Sequence, residues 1–448
     1  MTEKLRRDLG DGLTLRQATA EDADAAAEFQ AQVHLPHTFA ESFRIWTRDL
    51  MSGALPGFQP GDFTLVEDTR SGAIVSMLNL IPQTWSYGGM EIGVGRIELV
   101  STHPDYRRRG LVRVQMDAVH EMSAKRGEKM QVISGIPWFY RQFGYEMALE
   151  FGVGYSCPVS NWPALDDAVR EPCTVRPAAE GDLPFLACLY DAAMGRYLVS
   201  CVRDERLWRY ELNGRSENTY SELEICVVEA ATGEPVGLIV HIRGLWDGEP
   251  WVLLYELKEG VSWREVTPGV VRYLRRMGKA YIARQTRRAF RNVAFELGTE
   301  HPAYEVMNDR SPRMKRIRAW YVRVPDIAGF LRHVTPVLER RVADSAVAGY
   351  GGRLTIGFVD SGVDLLFDNG HVAAVKRLAK PRKGGNWLNS GACDAFFPGL
   401  VFLQLLFGFR AADELRYAIP DCDIGSPETR SLLNALFPKQ PSHVWGVW

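Results

Sequence analysis

The chain has 448 residues, 46% hydrophobic and 24% charged, a composition typical of a globular protein built from two or three domains. Its 53 Lys and Arg against 55 Asp and Glu leave a net charge of −2, so no global field draws it to nucleic acid or an anionic membrane, and neither is expected as a partner. The seven cysteines (Cys157, Cys173, Cys188, Cys201, Cys226, Cys393, Cys422) form no C-x-x-C pair, which points to reduced thiols in a cytoplasmic protein, with neither disulfides nor a bound metal.

In chain order, the first residues carry no apolar run of a secretory signal. Leu13 to Gln17 alternates as a strand does, and Glu21 to His34 has helical spacing. Strands are predicted at Phe63 to Val66, Ile74 to Ile81 and Ile92 to Val100, with turns at Arg70-Ser71-Gly72 and Tyr87-Gly88-Gly89. A helix follows from Arg108 to Arg126, stopped by Gly127. Then come a strand at Met130 to Ile136, a short aromatic helix, and a strand through Gly152 to Tyr155.

Near residue 173 this order begins again. Val175 to Asp182 echoes Leu15 to Asp22, Val228 to Gly237 echoes Val66 to Val75, and Tyr255-Glu256-Leu257 echoes Ile97-Glu98-Leu99. Three echoes in sequence argue for a duplicated domain, with Pro158 to Pro172 as linker. The last third has a different texture. Strands are predicted at Ala319 to Val324 and Arg353 to Val359, and a helix between them opens at Pro325-Asp326. A hairpin at Val363 to Val375 turns at Asp368-Asn369-Gly370, and helical pieces follow at Gly399 to Phe407, Ala412 to Tyr417 and Pro427 to Leu436. The longest apolar run, Phe396 to Phe409, is shorter than the about 20 residues a membrane-spanning helix needs. The basic stretch Arg313 to Arg318 is read as a solvated face.

The chemistry concentrates between residues 97 and 145. A strand ends at Pro104, a short loop holds Arg107-Arg108-Arg109-Gly110, and an amphipathic helix begins with Leu111-Val112-Arg113. Open N–H groups at a helix start and the positive end of its dipole form an anion site, and arginines add charge-assisted bonds to phosphate oxygens. Downstream lies Trp138-Phe139-Tyr140-Arg-Gln-Phe143-Gly144-Tyr145. Phe139, Phe143 and Tyr145 read as core, whereas the Tyr140 phenol is placed to face a ligand.

This segment resembles the GNAT superfamily of N-acetyltransferases, whose Arg/Gln-x-x-Gly-x-Gly/Ala signature appears as Arg107-Arg108-Arg109-Gly110-Leu111-Val112, with Val112 replacing the final small residue. The Phe139-Tyr140 to Gly144-Tyr145 stretch is similar to a second element of that fold. Within the superfamily the combination resembles the Eis subfamily. The resemblance implies an α/β and α+β chain with two tandem GNAT domains, each a mixed, mostly antiparallel sheet with flanking helices. These would span 1–157 (catalytic) and 173–305 (degenerate), followed by a sterol-carrier-protein-like α+β domain at 306–448. It implies acetyl-CoA as cosubstrate. Backbone groups of Val100, Ser101 and Thr102 would pair with the pantetheine arm, amides of Arg108, Arg109, Gly110, Leu111, Val112 and Arg113 would cradle the pyrophosphate, and Gly135 and Ile136 would flank the other side. Tyr140 would be the general acid. The base would be the C-terminal carboxylate, here that of Trp448, with Glu98 as the alternative. A homo-oligomer, by resemblance a hexamer, is also implied.

The expected reaction is acetyl transfer to a primary amine of an aminoglycoside-like small molecule or a lysine side chain. The competing readings are a non-catalytic module holding an apolar or acyl ligand and an oligomeric regulatory subunit. The arginine-glycine turn is present in the first half, but none follows Glu256-Leu257 in the second. That contrast favours catalysis in the first.

Overall fold

The computed structural model describes residues 5–34, 39–162, 171–220, 222–285, 290–307, 312–314, 318–379 and 393–446. Its first strands, β1 (Arg6–Gly10) and β2 (Leu13–Gln17), form a hairpin turned through Gly10, Asp11 and Gly12, all at positive φ. Helices α1 (Ala23–Val33) and α2 (Ala40–Met51) pack on each other. Next come β3 (Phe63–Asp68) and a long hairpin of β4 (Ala73–Tyr87) and β5 (Met90–Thr102). Its two-residue turn puts Gly88 and Gly89 at φ 55° and 93°, which matches the twist of the flanking strands. Then follow α3 (Leu111–Lys125), β6 (Met130–Ile133) and β7 (Glu146–Phe151). The strand expected through Gly152 to Tyr155 is broken. Gly152 takes φ 62°, and β8 (Tyr155–Pro158) turns away beyond Gly154, where a Cβ would sit 1.7 Å from the Phe295 carbonyl oxygen.

A second series comprises β9 (Cys173–Pro177), α4 (Leu183–Met194), β10 (Val199–Cys201), α5 (Glu205–Arg209), β11 (Leu223–Ala230), β12 (Pro235–Ile242), β13 (Trp251–Leu257), α6 (Trp263–Gln285), β14 (Asn292–Phe295), α7 (Pro302–Met307) and β15 (Arg313–Met314). The remainder is β16 (Arg318–Arg323), α8 (Ile327–His333), α9 (Thr335–Ala343), β17 (Gly352–Gly357), β18 (Ser361–Asp368), β19 (His371–Ala379), β20 (Ala395–Phe396), α10 (Phe402–Leu406), α11 (Ala412–Ala418), β21 (Asp423–Ile424) and α12 (Pro427–Leu436).

Three mixed sheets result. The first runs β1-β2-β3-β4-β5-β6-β16-β7, with β10 also along β4; the second runs β15-β8-β14-β13-β12-β11-β9; the third runs β19-β18-β17-β20-β21. Strands β2 to β6 and β9, β11 to β14 repeat one pattern, antiparallel until a final parallel pair, β5 with β6 and β13 with β14. The echo in sequence becomes a repeated ion cluster. Arg16 donates to Asp22 at 2.8 and 2.7 Å and to Glu67 at 2.8 Å. Arg176 donates to Asp182 at 2.7 and 2.9 Å and to Glu229 at 2.7 Å.

The two repeats also exchange strands. β8 follows β7 in sequence but pairs with β14, while β16, whose composition grouped it with the last third, fills the place between β6 and β7. Trp320 of β16 is wholly buried and meets Trp85 of β4 edge-on at 5.8 Å. The same apolar core runs on into the third unit, where Tyr87 packs against Phe330 and Phe407 and donates to the Leu406 carbonyl at 2.6 Å. Among the described residues, no helix is long and apolar enough to cross a membrane.

Candidate active site

β5 and β6 pair only from Val94–Ile97 to Met130–Ile133. β5 continues to Thr102 while the chain after Ile133 leaves the sheet, so the two strands part. The register against β4 slips between Met77 and Asn79, and Leu99 opposite takes φ 55°; Gln30 of α1 holds the Leu99 carbonyl with a 2.9 Å bond. Beyond this bulge, Val100, Ser101 and Thr102 form one wall of a groove of about 690 Å³, and Ile136 and Tyr140 form part of the other.

At one end the groove meets the start of α3. Gly110 is the N-cap residue at φ 77°, and a Cβ there would meet nothing within 4 Å, so the left-handed backbone and not crowding calls for glycine. Among the described residues no side chain caps this helix and its first turn holds no acid. Arg108, Gly110, Leu111, Val112 and Arg113 line the groove, as does Arg107, whose Nε donates to the Thr102 carbonyl at 3.4 Å. Uncapped N–H groups, the helix dipole and three guanidinium groups fit a pyrophosphate. Arg109 turns aside: its guanidinium lies 4.8 Å from the Tyr106 ring and donates to the Asp105 carbonyl.

Tyr140 sits at the other end, 3% exposed, with its hydroxyl 3.9 Å from where a Cβ of Gly135 would be. Burial, and then the nearby charge of Glu98, push its pKa well above that of an ordinary phenol, so it is protonated at neutral pH. Glu98 accepts from Arg96 Nη2 at 2.6 Å and Nε at 3.1 Å, and Arg96 is fully buried over the Trp320 ring. The C-terminal segment runs past this pair, since a Cβ on Gly446 would lie 2.8 Å from Arg96 Nη1. Trp448 itself lies outside the described residues.

A second cavity of about 580 Å³ adjoins the groove, and Gly135 and Glu98 line it. His34 lines both spaces. Its chemistry is set by Gln30, whose Nε2 donates to Leu99, leaving Oε1 to accept from Ser101 Oγ at 2.8 Å and from His34 Nδ1 at 2.7 Å. The ring is therefore the Nδ1–H tautomer with its lone pair on Nε2. Burial lowers its pKa to about 4, so it is neutral at physiological pH. The sequence reading passed over His34, although its i,i+4 spacing from Gln30 on the predicted helix was a usable signal. It also missed the far wall, where Tyr220, Trp246, Trp251, Glu296 and Arg318 come from the later part of the chain. Arg318 belongs to the stretch read as a solvated face, of which residues 315–317 lie outside the described residues.

The corresponding cleft of the second sheet is filled. His301 packs edge-on against Trp263 at 5.1 Å and lies 3.5 Å from Glu256, and both His301 and Glu256 are buried. Glu256 also pairs with Arg196. Among the described residues no group of three or more His, Cys, Asp or Glu is arranged to hold a metal.

Residues 14–148 match the family model described as an acetyltransferase (GNAT) domain. Among solved structures, a probable N-acyltransferase from Enterococcus faecalis is similar at 13% identity and TM-score 0.65, covering 97% of this chain and 100% of that one. A GCN5-related N-acetyltransferase from Anabaena variabilis is similar at 14% identity and TM-score 0.65, with 96% and 99% covered. Eis1 from Mycobacterium abscessus is similar at 14% identity and TM-score 0.60, with 96% and 98% covered. At such identities these structures speak for the fold. No curated protein sequence matches the chain. The domain match identifies residues 14–148 as a GNAT acetyltransferase domain and the protein as an acetyltransferase.

Proposed function

From an acetyltransferase domain in the first third, we propose that the protein transfers acetyl directly from acetyl-CoA to a primary amine of a small molecule or a lysine side chain. The observation that carries this is the groove between the parting strands β5 and β6, with uncapped helix N–H groups and arginines at one end and a buried, protonated tyrosine at the other. Acetyl-CoA supplies an activated thioester. Val100, Ser101 and Thr102 hold its pantetheine arm, the turn from Arg108 to Arg113 holds the pyrophosphate, and Gly135 and Ile136 close the other side. An aliphatic ammonium has a pKa near about 10, so only about 0.1% is neutral at pH 7 and a base is needed. As the C–N bond forms and the C–S bond breaks, Tyr140 gives its proton to the departing thiolate. The carboxylate of Trp448 takes the amine proton, a role supported by the path of the C-terminal segment past Arg96. Glu98 is the alternative base, already engaged by Arg96.

We read the chain as tandem GNAT domains at 1–157 and 173–305, the second without a cosubstrate site, and a sterol-carrier-protein-like domain at 306–448 that lends β16 to the first sheet, assembled as a homo-oligomer. The test is CoA binding by calorimetry with acetyl transfer to an amine panel. Tyr140→Phe should lower kcat about 10²-fold or more while leaving the CoA dissociation constant unchanged. Removing Trp448 should lower kcat as well, and an unchanged rate would move the base to Glu98 or to water. A protein that binds no CoA would refute the proposal.

A further inference from the structure

The cavity beside the groove has a wall chemistry that selects its ligand, and this inference rests on the transferase reading for the terminal carboxylate it brings here and for calling that ligand the acetyl acceptor. Two of its polar groups, His34 and Glu98, sit toward the groove. His34 opens onto both spaces, and Glu98 lies close enough to Tyr140 and to Tyr220 for its charge to act on both phenols. From His34 a continuous series of rings runs along the wall. His34 stacks on Phe43 at 4.6 Å, Phe43 on Tyr220 at 4.5 Å with planes 17° apart, and Tyr220 meets Trp246 at 5.3 Å, which meets Trp251 at 5.4 Å. Trp46 stacks on the same Tyr220 at 5.5 Å.

The charges are few. Among the described residues lining the cavity, the carboxylates are Glu98 and Glu296, and each has an arginine partner: Arg96 buried behind Glu98, and Arg318 at 3.3 Å from Glu296. Arg318 itself lines the cavity, its guanidinium 5.0 Å from the Phe151 ring and 5.6 Å from that of Trp251. Glu98, Glu296 and the terminal carboxylate proposed as base outnumber Arg96 and Arg318 by one, so one ammonium placed among Glu98, the His34 Nε2 lone pair and the aromatic faces is compensated. Each further ammonium would enter beside Arg318 with that balance already met, at a desolvation cost that nothing on the wall offsets. A flat apolar body, by contrast, gains from every ring it covers.

We propose that the acceptor is a primary amine carrying a single positive charge on a flat aromatic body, an arylalkylamine, bound with its nitrogen at the Glu98–His34 end and its ring against Tyr220, Trp246 and Trp251. This narrows the amine class and excludes the multiply charged aminoglycosides and polyamines.

The experiment measures direct binding to the full chain by calorimetry, with and without CoA, for tryptamine, 2-phenylethylamine, spermidine and kanamycin, alongside acetyl transfer to each. The arylalkylamines should bind at least about tenfold more tightly than spermidine or kanamycin, a difference of about 1.4 kcal/mol, and should be acetylated with a correspondingly higher kcat/KM. Trp246→Ala should weaken tryptamine binding about tenfold with CoA binding unchanged, which also shows the variant folded, and Trp246→Phe should restore most of the loss. Equal or tighter binding of spermidine or kanamycin overturns the proposal, as does CoA binding with no arylalkylamine bound. If tryptamine binds in this order but CoA does not, the transferase reading falls and the ligand class stands.

Discussion

Tyr140 and His34 face the same junction with opposite assignments, and burial makes both. It holds the phenol protonated and the imidazole neutral, so one can only give a proton and the other can only accept a hydrogen bond at Nε2. The sign of the pH dependence follows. In the proposed role Tyr140 acts in its protonated form; its pKa is raised, so the active form would be lost only as pH climbs through that raised value. The profile of kcat should therefore rise with deprotonation of the bound amine and show no fall up to about pH 10, where an unperturbed phenol would titrate. An alkaline limb near pH 9 that disappears in Tyr140→Phe would contradict this assignment. Tyr140 was legible in the sequence because it sits in a local pattern with Gly144 and Tyr145. The Trp246 and Trp251 rings were not: they meet His34 and Glu98 only through the packing of two sheets, and no spacing within the chain encodes that.

At the scale of elements, what the sequence marked most clearly was a residue order that returns. The Arg-to-Asp spacing of six residues in both halves is the bidentate pair that ties a strand end to the turn opening the next helix. The two clusters differ in exposure, Arg16 at 19% and Arg176 at 38%. Screening makes the more exposed pair the weaker. Arg16→Met should cost about 1–2 kcal/mol in urea unfolding and Arg176→Met less than about 1 kcal/mol. Equal losses would mean solvent does not tell the two clusters apart. The hairpin turns at Gly88-Gly89 and Asn369-Gly370 were readable from residue type, since both positions of each turn lie at positive φ. Strand partners were not readable. Alternation reports that Ala319 to Val324 is a strand and which residues share a face, and it says nothing about the neighbour. Hence β16 could be predicted as a strand while its place between β6 and β7 stayed out of reach.

For the whole molecule, the exchange of β8 and β16 joins the repeats more firmly than a linker does. Residues 1–162 alone would lack the strand between β6 and β7 and the Trp320 ring that packs on Trp85. That fragment should show no cooperative thermal transition by calorimetry, whereas the full chain should unfold with β6, β7 and β16 in one step. A fragment that melts cooperatively would show the borrowed strand to be dispensable. The two adjoining spaces, finally, have different owners. Every residue lining the groove lies between Val33 and Phe143, while Tyr220, Ile242, Trp246, Trp251, Leu253 and Glu296 of the cavity wall come from the second repeat. On the proposed reading, the sheet whose own cleft is filled by His301 thus supplies the surface that meets the other ligand. On that reading, substitutions there would retune partner choice without disturbing the nucleotide grip, so drift in one part of the chain has an outlet that does not pass through the chemistry of the other.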